Sequence, residues 1–330
     1  MKKIVVLSPA YNEEQSIASV LRKIPRKWKA DIQVEVVVID DGSTDRTAEI
    51  ALQEGAEVFS HTRNMGLGVA FRKGLHRGLE KGADVIVNID ADGQFNAEDI
   101  PKLVEPILQG KAGFVTASRF KSADLRPKMP LIKRIGNRFI SCVISRIVGG
   151  KYKDVSCGFR AYSRDAALKL NLFGRFTYTQ ETFIDLAVKD VSILEVPVKV
   201  TGERRFGKSK ISSNLFVYGF KTMRIIIGAL RDFKPMVLFT FFSLFWFVIG
   251  SITGIFFMDH YLRTGSFRPQ TWAVFVSAGS FLLALFLMIT GLVMNMFGRM
   301  RINQEKLIFF ARKNYYDKYS NSDKDISNAL

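Results

Sequence analysis

Two stretches in the C-terminal third constrain this chain more than anything else in it: PMVLFTFFSLFWFVIGSITGIFFM, Pro235 to Met258, and WAVFVSAGSFLLALFLMITGLVMNMF, Trp272 to Phe297. Neither holds a charged residue. At about 1.5 Å of rise per residue, each helix crosses a hydrocarbon core of about 30 Å with some tilt. A soluble core helix seldom stays uncharged on every face for so long. The pattern predicts a transmembrane hairpin, 235–297, with spans 235–258 and 272–297. Lys221, Arg224, Arg231 and Lys234 precede the first span, and Arg299, Arg301, Lys306, Arg312 and Lys313 come after the second. The connecting loop has only Arg263 and Arg268 against Asp259, so both termini are expected in the cytoplasm. Residues 212–234, apolar with sparse cations, read as an interfacial juxtamembrane helix. Residues 298–330 read as a cytosolic basic segment and a polar tail, frayed after Asn314.

The first 200 residues have another character. KKIVVLS, VEVVVID, ADVIVNID, AGFVTAS and VSILEVPVKV read as strands, and EEQSIASVLRKI, TDRTAEIALQEG and LGVAFRKGLHRGLEKG as the helices crossing between them. That alternation predicts an α/β domain, 1–211, with a mostly parallel sheet covered by helices on both faces. Ligands of such sheets bind beyond the carboxyl ends of the strands. The 48 Lys and Arg against 31 Asp and Glu, formally +17, point to anionic partners. Two cysteines, Cys142 and Cys157, and three scattered histidines leave no zinc spacing and no disulfide framework. The apolar run after MKK is too short for a signal peptide.

The strand ends carry the chemistry. PAYNEE comes after the first, DDGSTD after the second and DADGQ after the third. At an extended strand end residues i and i+2 point the same way, so Asp90 and Asp92 converge while Ala91 turns aside. Two such carboxylates repel unless a cation joins them. Mg2+ or Mn2+ takes oxygen ligands and shares its open positions with substrate phosphates, so the pair predicts a metal site, with Gln94 as a further nearby oxygen. A plain Asp-Gly turn is the competing reading.

PAYNEE, VVVIDDGSTDRT, RNMGLGVAFRKGL, NIDADGQF, TASRF and RRFGKSK, in that order over about residues 3–211, resemble the landmarks of glycosyltransferase family 2, in its polyprenyl-phosphate branch. That branch includes dolichyl-phosphate mannose synthases and bacterial polyprenyl-phosphate glucosyltransferases. The resemblance implies a GT-A fold and a nucleotide-diphosphate sugar as donor. It assigns Pro9, Ala10, Tyr11, Glu13 and Ala91 to the nucleotide, Asp41 to the base, and Asp90, Asp92 and Gln94 to metal and diphosphate. Arg119, Arg134, Arg204, Ser209 and Lys210 are assigned to the donor diphosphate and the lipid phosphate.

Charge bears on the acceptor independently. Arg119, Lys121, Arg126, Lys128, Lys133, Arg134 and Arg138 face a single acid, Asp124, between residues 119 and 138. Arg204, Arg205, Lys208 and Lys210 form a second cluster before the juxtamembrane segment. A phosphate on a membrane lipid, or an anionic membrane surface, would need such cations. Nucleic acid fits less well, because no stacking aromatic array accompanies them. A phosphate monoester has a second pKa near 6 and needs no strong base, so the expected catalytic set is Asp90, Asp92, Arg204 and Lys210. A hydroxyl acceptor would need a base, for which Glu181 and Asp154 are the candidates. The resemblance implies inverting transfer of a hexose to polyprenyl phosphate, with a UDP-glucose-like donor in preference to GDP-mannose because the hairpin resembles that of the bacterial glucosyltransferases. A catalytically silent sugar-nucleotide-binding scaffold is the rival of another class, and homo-oligomerisation is left open. GERRFGKS, Gly202 to Ser209, spells a phosphate-loop motif, but the chain after it is mostly membrane span and not the sheet such a loop serves.

Overall fold

The computed structural model describes residues 1–122, 125, 131–172, 178–200, 227–228, 231 and 235–328, with backbone alone at 131–133 and 320–328. The chain divides into two compact units, Met1–Met223 with Ile308–Leu330, and Arg224–Leu307. The expected juxtamembrane segment 212–234 lies almost wholly outside the described residues.

The first unit runs β1 (Lys2–Ala10), α1 (Ile17–Arg22), β2 (Ile32–Asp40), α2 (Thr47–Gln53), β3 (Glu57–Ser60), α3 (Leu67–Glu80) and β4 (Val85–Asn88). It continues through α4 (Ile100–Leu108), β5 (Phe114–Ser118), α5 (Leu131–Val148), β6 (Arg160–Ser163), α6 (Arg164–Lys169), α7 (Thr179–Val188) and β7 (Ile193–Pro197). The strands form one sheet in the order β3-β2-β1-β4-β6-β5-β7. All pairs are parallel except those that β6 makes with β4 and β5. The expected mostly parallel α/β sheet is therefore present.

Burial explains why these residues make these strands. Ile4 to Leu7 and Val37 to Ile39 are wholly inaccessible, as continuous apolar runs in a sheet covered on both faces must be. The helix α3 crosses over the sheet and approaches it closely because it carries glycine where it touches. A Cβ on Gly74 would lie 3.2 Å from Ile39 and Leu7, and one on Gly78 only 2.8 Å from Ile86.

Topology places the site. After β3 the chain crosses to the other side of β1, and β4 pairs there. Register aligns Ala10 with Asp40 and Leu7 with Asn88, so the ends of β1, β2 and β4 open on one edge at the switch in strand order.

The second unit holds the apolar runs. Helix α8 (Pro235–Thr264) and helix α9 (Thr271–Asn328) are each long and apolar enough to cross a membrane. Small residues line their seam: Ser277 Oγ donates to Gly250 O and Ser243 Oγ to Ala284 O, each at 2.8 Å, and a Cβ on Gly291 would lie 2.9 Å from Phe239 Cβ. Close approach of this kind is how helices associate where apolar burial gives no drive. Helix α8 stops where Gly265 takes φ 64° and donates to Tyr261 O at 2.8 Å.

Helix α9 does not stop where its apolar run does. No Gly or Pro falls between Arg299 and Asn328, and the segment expected to fray is helical to Asn328. From Ile308 it belongs to the first unit. There Tyr316 is buried and its hydroxyl meets His76 Nδ1. Arg164 donates to Asp317 Oδ1 at 2.9 Å, and Arg312 donates to the Leu170 carbonyl at 2.6 Å.

Candidate functional site

Two loops on this edge are hydrogen-bonded to each other. After β1, Asn12 takes the left-handed conformation at φ 52°, which asparagine tolerates better than most residues. That turn lets its amide donate to Ser43 Oγ at 2.9 Å and its Oδ1 accept from Thr44 N at 2.8 Å. Next to it Glu13 N donates to Thr47 Oγ1 at 2.8 Å, and Asp41 N donates to Ala10 O at 2.8 Å. The segments carrying Pro9, Ala10, Tyr11, Glu13 and Asp41 are thus one preorganised wall.

Asp41 is buried, and its carboxylate does a definite job. Oδ1 accepts from Met65 N at 2.9 Å and pairs with His61 Nδ1 at 2.7 Å, while Oδ2 accepts from Gly66 N at 2.8 Å. The residue that the resemblance assigned to the base folds the 61–66 loop against the site. Gly42 is needed for that approach, since a Cβ there would lie 2.4 Å from the Arg63 carbonyl carbon, and its φ is 73°.

Asp90, Ala91 and Asp92 come just after β4. Asp92 is buried and accepts from Gln94 N at 3.0 Å. Ala91 presents its carbonyl to Ser16 Oγ at 2.8 Å, and the same hydroxyl lies 3.0 Å from Glu13 Oε2. Ser16 therefore ties the start of α1 to both the first loop and the acidic turn. Pro9, Ala10, Tyr11, Glu13, Asp90, Ala91, Asp92 and Gln94 all lie along this one edge.

Below Asp90 lies a layer that sequence reasoning missed. Antiparallel register pairs Asn88 with Arg160, and two residues beyond each strand end Asp90 meets Gly158. A Cβ on Gly158 would lie 2.6 Å from Asp90 Oδ2 and 3.1 Å from Oδ1. Asn88 Nδ2 donates to Gly158 O at 2.9 Å and to the Tyr178 hydroxyl at 2.6 Å. Tyr178 stacks on Phe71, centroids 3.9 Å apart. Burial first, then the Asp90 charge, raises the Tyr178 pKa well above its ordinary value, so the hydroxyl keeps its proton.

Arg160 is wholly buried in the same layer, donating to Thr179 O at 2.7 Å and Val155 O at 2.9 Å, with its guanidinium 5.4 Å from the Phe114 ring centroid. It opposes the burial that pushes the Tyr162 hydroxyl up to about 12. The one sequence signal for this layer was a cation between aromatic and apolar residues in CGFRAYS.

Of the expected acceptor residues, Arg119 and Arg134 are among the described residues. Arg119, just past β5, makes a two-pronged pair with Asp154, Nε to Oδ2 at 2.7 Å and Nη2 to Oδ1 at 2.8 Å. Asp154 is wholly buried, and its own amide donates to Glu195 Oε1 at 2.8 Å. Glu181 lies in the first turn of α7 and is half-buried. Arg134 is exposed on α5. Arg204, Ser209 and Lys210 lie outside the described residues, as do Arg126, Lys128, Arg205 and Lys208. Both cysteines are free, Cys142 exposed and Cys157 buried.

Among the described residues no cluster of three or more His, Cys, Asp or Glu could hold a metal. A carboxylate pair alone suits a hard divalent ion that takes its remaining oxygens from a bound diphosphate and from water, as Mg2+ does. The donor set at Asp90 and Asp92 fits Mg2+ or Mn2+, and does not fit a closed zinc site.

The strand order with its switch between β1 and β4, and the acidic turn after β4, define a GT-A type of α/β fold. The chain belongs to glycosyl transferase family 2, which residues 5–170 match. It is 33% identical over 219 residues to the UDP-N-acetylglucosamine--dolichyl-phosphate N-acetylglucosaminyltransferase of Methanococcus voltae, across 60% of this chain and 85% of that one. It is 29% identical over 223 residues to the polyprenol monophosphomannose synthase of Mycolicibacterium smegmatis, across 64% and 82%. Glucosyl-3-phosphoglycerate synthase from Mycobacterium tuberculosis, solved with Mn2+, UDP and phosphoglyceric acid, shares the fold with TM-score 0.54 at 24% identity, over 69% of this chain and 78% of that one. Relatives named for transfer to dolichyl phosphate and for a polyprenol product bear out the expected polyprenyl-phosphate branch.

Proposed function

We propose that this chain transfers a hexose from a nucleoside-diphosphate sugar to polyprenyl phosphate at the cytosolic membrane face, with inversion at the anomeric carbon and both termini cytoplasmic. The observation that carries the reading is the acidic turn Asp90 to Asp92, held at the sheet edge beside the two interlocked loops. That edge offers a wall for a nucleoside and a carboxylate pair for its diphosphate. Bound there, Mg2+ or Mn2+ supplies positive charge against the departing diphosphate.

The remaining chemistry falls to the protein and the acceptor. A lipid phosphate oxygen is ionised at neutral pH and attacks the anomeric carbon in line. A new carbon–oxygen bond forms as the bond to the diphosphate breaks, and the nucleoside diphosphate keeps the electron pair. No proton need be removed. Asp154, one of the two candidate bases for a hydroxyl acceptor, is wholly buried and held by Arg119, which leaves Glu181 alone for that role and supports the phosphate acceptor. Arg204 and Lys210 are assigned to charge on the leaving group and acceptor by family resemblance. A UDP-glucose-like donor is favoured because the two-span hairpin resembles that of the bacterial glucosyltransferases. GDP-mannose is the second reading, favoured by the mycobacterial relative's name.

The test incubates detergent-purified full chain with polyprenyl phosphate, Mg2+ or Mn2+ and a panel of sugar nucleotides, and looks for glycolipid. Product from one donor, abolished by chelator and by Asp92→Ala in a folded protein, is the expected result. Binding of sugar nucleotide without turnover would replace the enzyme reading with the scaffold.

A further inference from the structure

Where the end of α9 rests on the first unit, it closes a cavity that sugar transfer does not use. Arg72 and His76 stand one turn apart on α3, and Arg312 and Tyr316 one turn apart on α9, so each pair shares a helix face. The two faces meet at His76 Nδ1 and the Tyr316 hydroxyl, with ring centroids 6.2 Å apart. Beside that contact lies a cavity of about 90 Å3, walled by Leu75, Leu79 and Leu170 and edged by Arg72, His76 and Arg312. Drug-sized ligands need about 300–1,000 Å3, so this space suits one small group. Among the described residues no carboxylate lines it. The acids of the adjoining turns are paired elsewhere, Glu80 with Arg77, Asp165 with Lys169, Asp185 with Lys189 and Asp317 with Arg164. Arg312 donates to the Leu168 carbonyl at 3.3 Å and the Leu170 carbonyl at 2.6 Å, which fixes its guanidinium at the rim without cancelling its charge. Positive potential results: burial first and Arg312 next hold His76 below its usual 6.5, with Arg72 adding to this and Glu80 opposing it.

We propose that this cavity binds a phosphate group, with Arg72 and His76 of α3 and Arg312 of α9 donating to its oxygens, and that the bound anion fastens the end of α9 to the first unit. Donor chemistry selects the occupant. Two guanidinium groups and an imidazole offer several N–H donors from two helices, which suits the several oxygens of a phosphate better than a flat carboxylate. An uncharged apolar ligand would leave those donors unanswered. None of the lining residues belongs to the site on the sheet edge, so this one stands or falls apart from the sugar-transfer reading. Its effect would be regulatory, because occupancy ties a helix that also runs through the second unit to the unit bearing Asp90 and Asp92.

The chain supplies its own probes, since it has three histidines in separate places: His61 beside Asp41, His76 at the cavity and His260 in the second unit. Full-length protein carrying isotope-labelled histidine is titrated in detergent by NMR, the His76 signal being assigned with His76→Gln. Inorganic phosphate should raise the His76 pKa in a saturable way, because a bound anion favours the imidazolium, and should slow amide exchange over residues 308–319. Chloride at equal ionic strength should do neither. Arg72→Gln should weaken phosphate binding about tenfold or more, the loss of one charge-assisted hydrogen bond. Ala167→Met, which fills the cavity and keeps every cation, should abolish the response. Phosphatidic acid in the micelle is the second arm: a response to it and not to free phosphate assigns the site to a lipid phosphomonoester, and a response to free phosphate assigns it to a soluble one. A His76 signal that ignores both ligands overturns the proposal, and movement of His61 in its place would put the phosphate at the nucleotide edge and leave the sugar-transfer reading standing. A shift that chloride reproduces overturns it as well, leaving only salt screening of Arg72 and Arg312.

Discussion

Replacing Gly158 by alanine should damage the reaction while sparing the fold. The added Cβ would stand 2.6 Å from Asp90 Oδ2, so one of the two must retreat by about 0.8 Å to reach ordinary contact at 3.4 Å. The backbone of Gly158 is the fixed partner. Its carbonyl accepts from Asn88 Nδ2 at 2.9 Å, and both Asn88 and Tyr178 are wholly buried. Asp90 is the end of a short side chain at the sheet edge, so the carboxylate moves. Gly158 is not among the positive-φ glycines, so alanine fits its backbone and gains about 0.4–1 kcal/mol through the unfolded chain. That offsets most of the crowding, and net stability should change by about 1 kcal/mol or less. If Asp90 positions the diphosphate as proposed, a displacement approaching 1 Å costs about 10²-fold in rate. The assay is glycolipid formation at varied Mn2+, beside a thermal unfolding curve of the same preparation. A fall of about 10²-fold in kcat/KM, a raised half-saturating Mn2+ and a Tm within a few degrees of wild type are expected. Unchanged turnover, or loss of activity only alongside loss of folded protein, would refute the argument that Gly158 sets the position of Asp90.

Three other perturbations probe separate joints. Ser16→Ala leaves the Ala91 carbonyl without its 2.8 Å partner in a buried setting, which should cost about 1–3 kcal/mol in denaturant unfolding and raise the KM for sugar nucleotide. His76 is held below its usual 6.5 by burial first and by Arg312 next, so the unfolded chain binds more protons than the folded one at acid pH. Its contribution should be complete above about pH 6.5 and drain away as pH falls through the lowered pKa. His76→Gln should flatten that part of the Tm–pH curve, and an unaltered curve would show that the histidine does not titrate on unfolding. Arg204→Ala should impair transfer more than Lys208→Ala in the glycolipid assay, and the reverse order would revive the phosphate-loop reading of GERRFGKS.

How much of this could be read from the sequence depended on where the information lay. Strands β1, β2, β4 and β5 announced themselves because buried strands of a covered sheet are continuous apolar runs, and the edge strand β7 did so by the alternation in SILEVPVKV. Strand β3, EVFS, is four residues and half-exposed, and β6, RAYS, opens on a cation, so neither carries that mark. The missed β6 is also the antiparallel strand, and with it went the layer under the site. Asp90 and Asp92 were legible because two carboxylates one residue apart come directly after an apolar run, although the chain there has left β4 and turns through Gly93 at φ 72°. Gly158 and Tyr178 were not, because they lie 70 and 90 residues from Asn88 and only sheet register brings the three together. The continuation of α9 was hidden for a different reason: hydropathy reports where a membrane run ends, whereas a helix ends at a stop signal, and none comes after Gly298.

The buried charges explain why an acidic turn can sit at the end of so apolar a strand. Asp90 lies over a layer rich in donors and protonated hydroxyls: the Asn88 amide, the Tyr178 and Tyr162 hydroxyls, and the Arg160 guanidinium. Asp90 and Arg160 act on Tyr178 in opposite directions, the first raising its pKa and the second lowering it, which places both charges within electrostatic reach of one hydroxyl. Arg160 donates to the carbonyls of Thr179 and Val155, so its positive charge is fixed within the layer beneath the acidic turn.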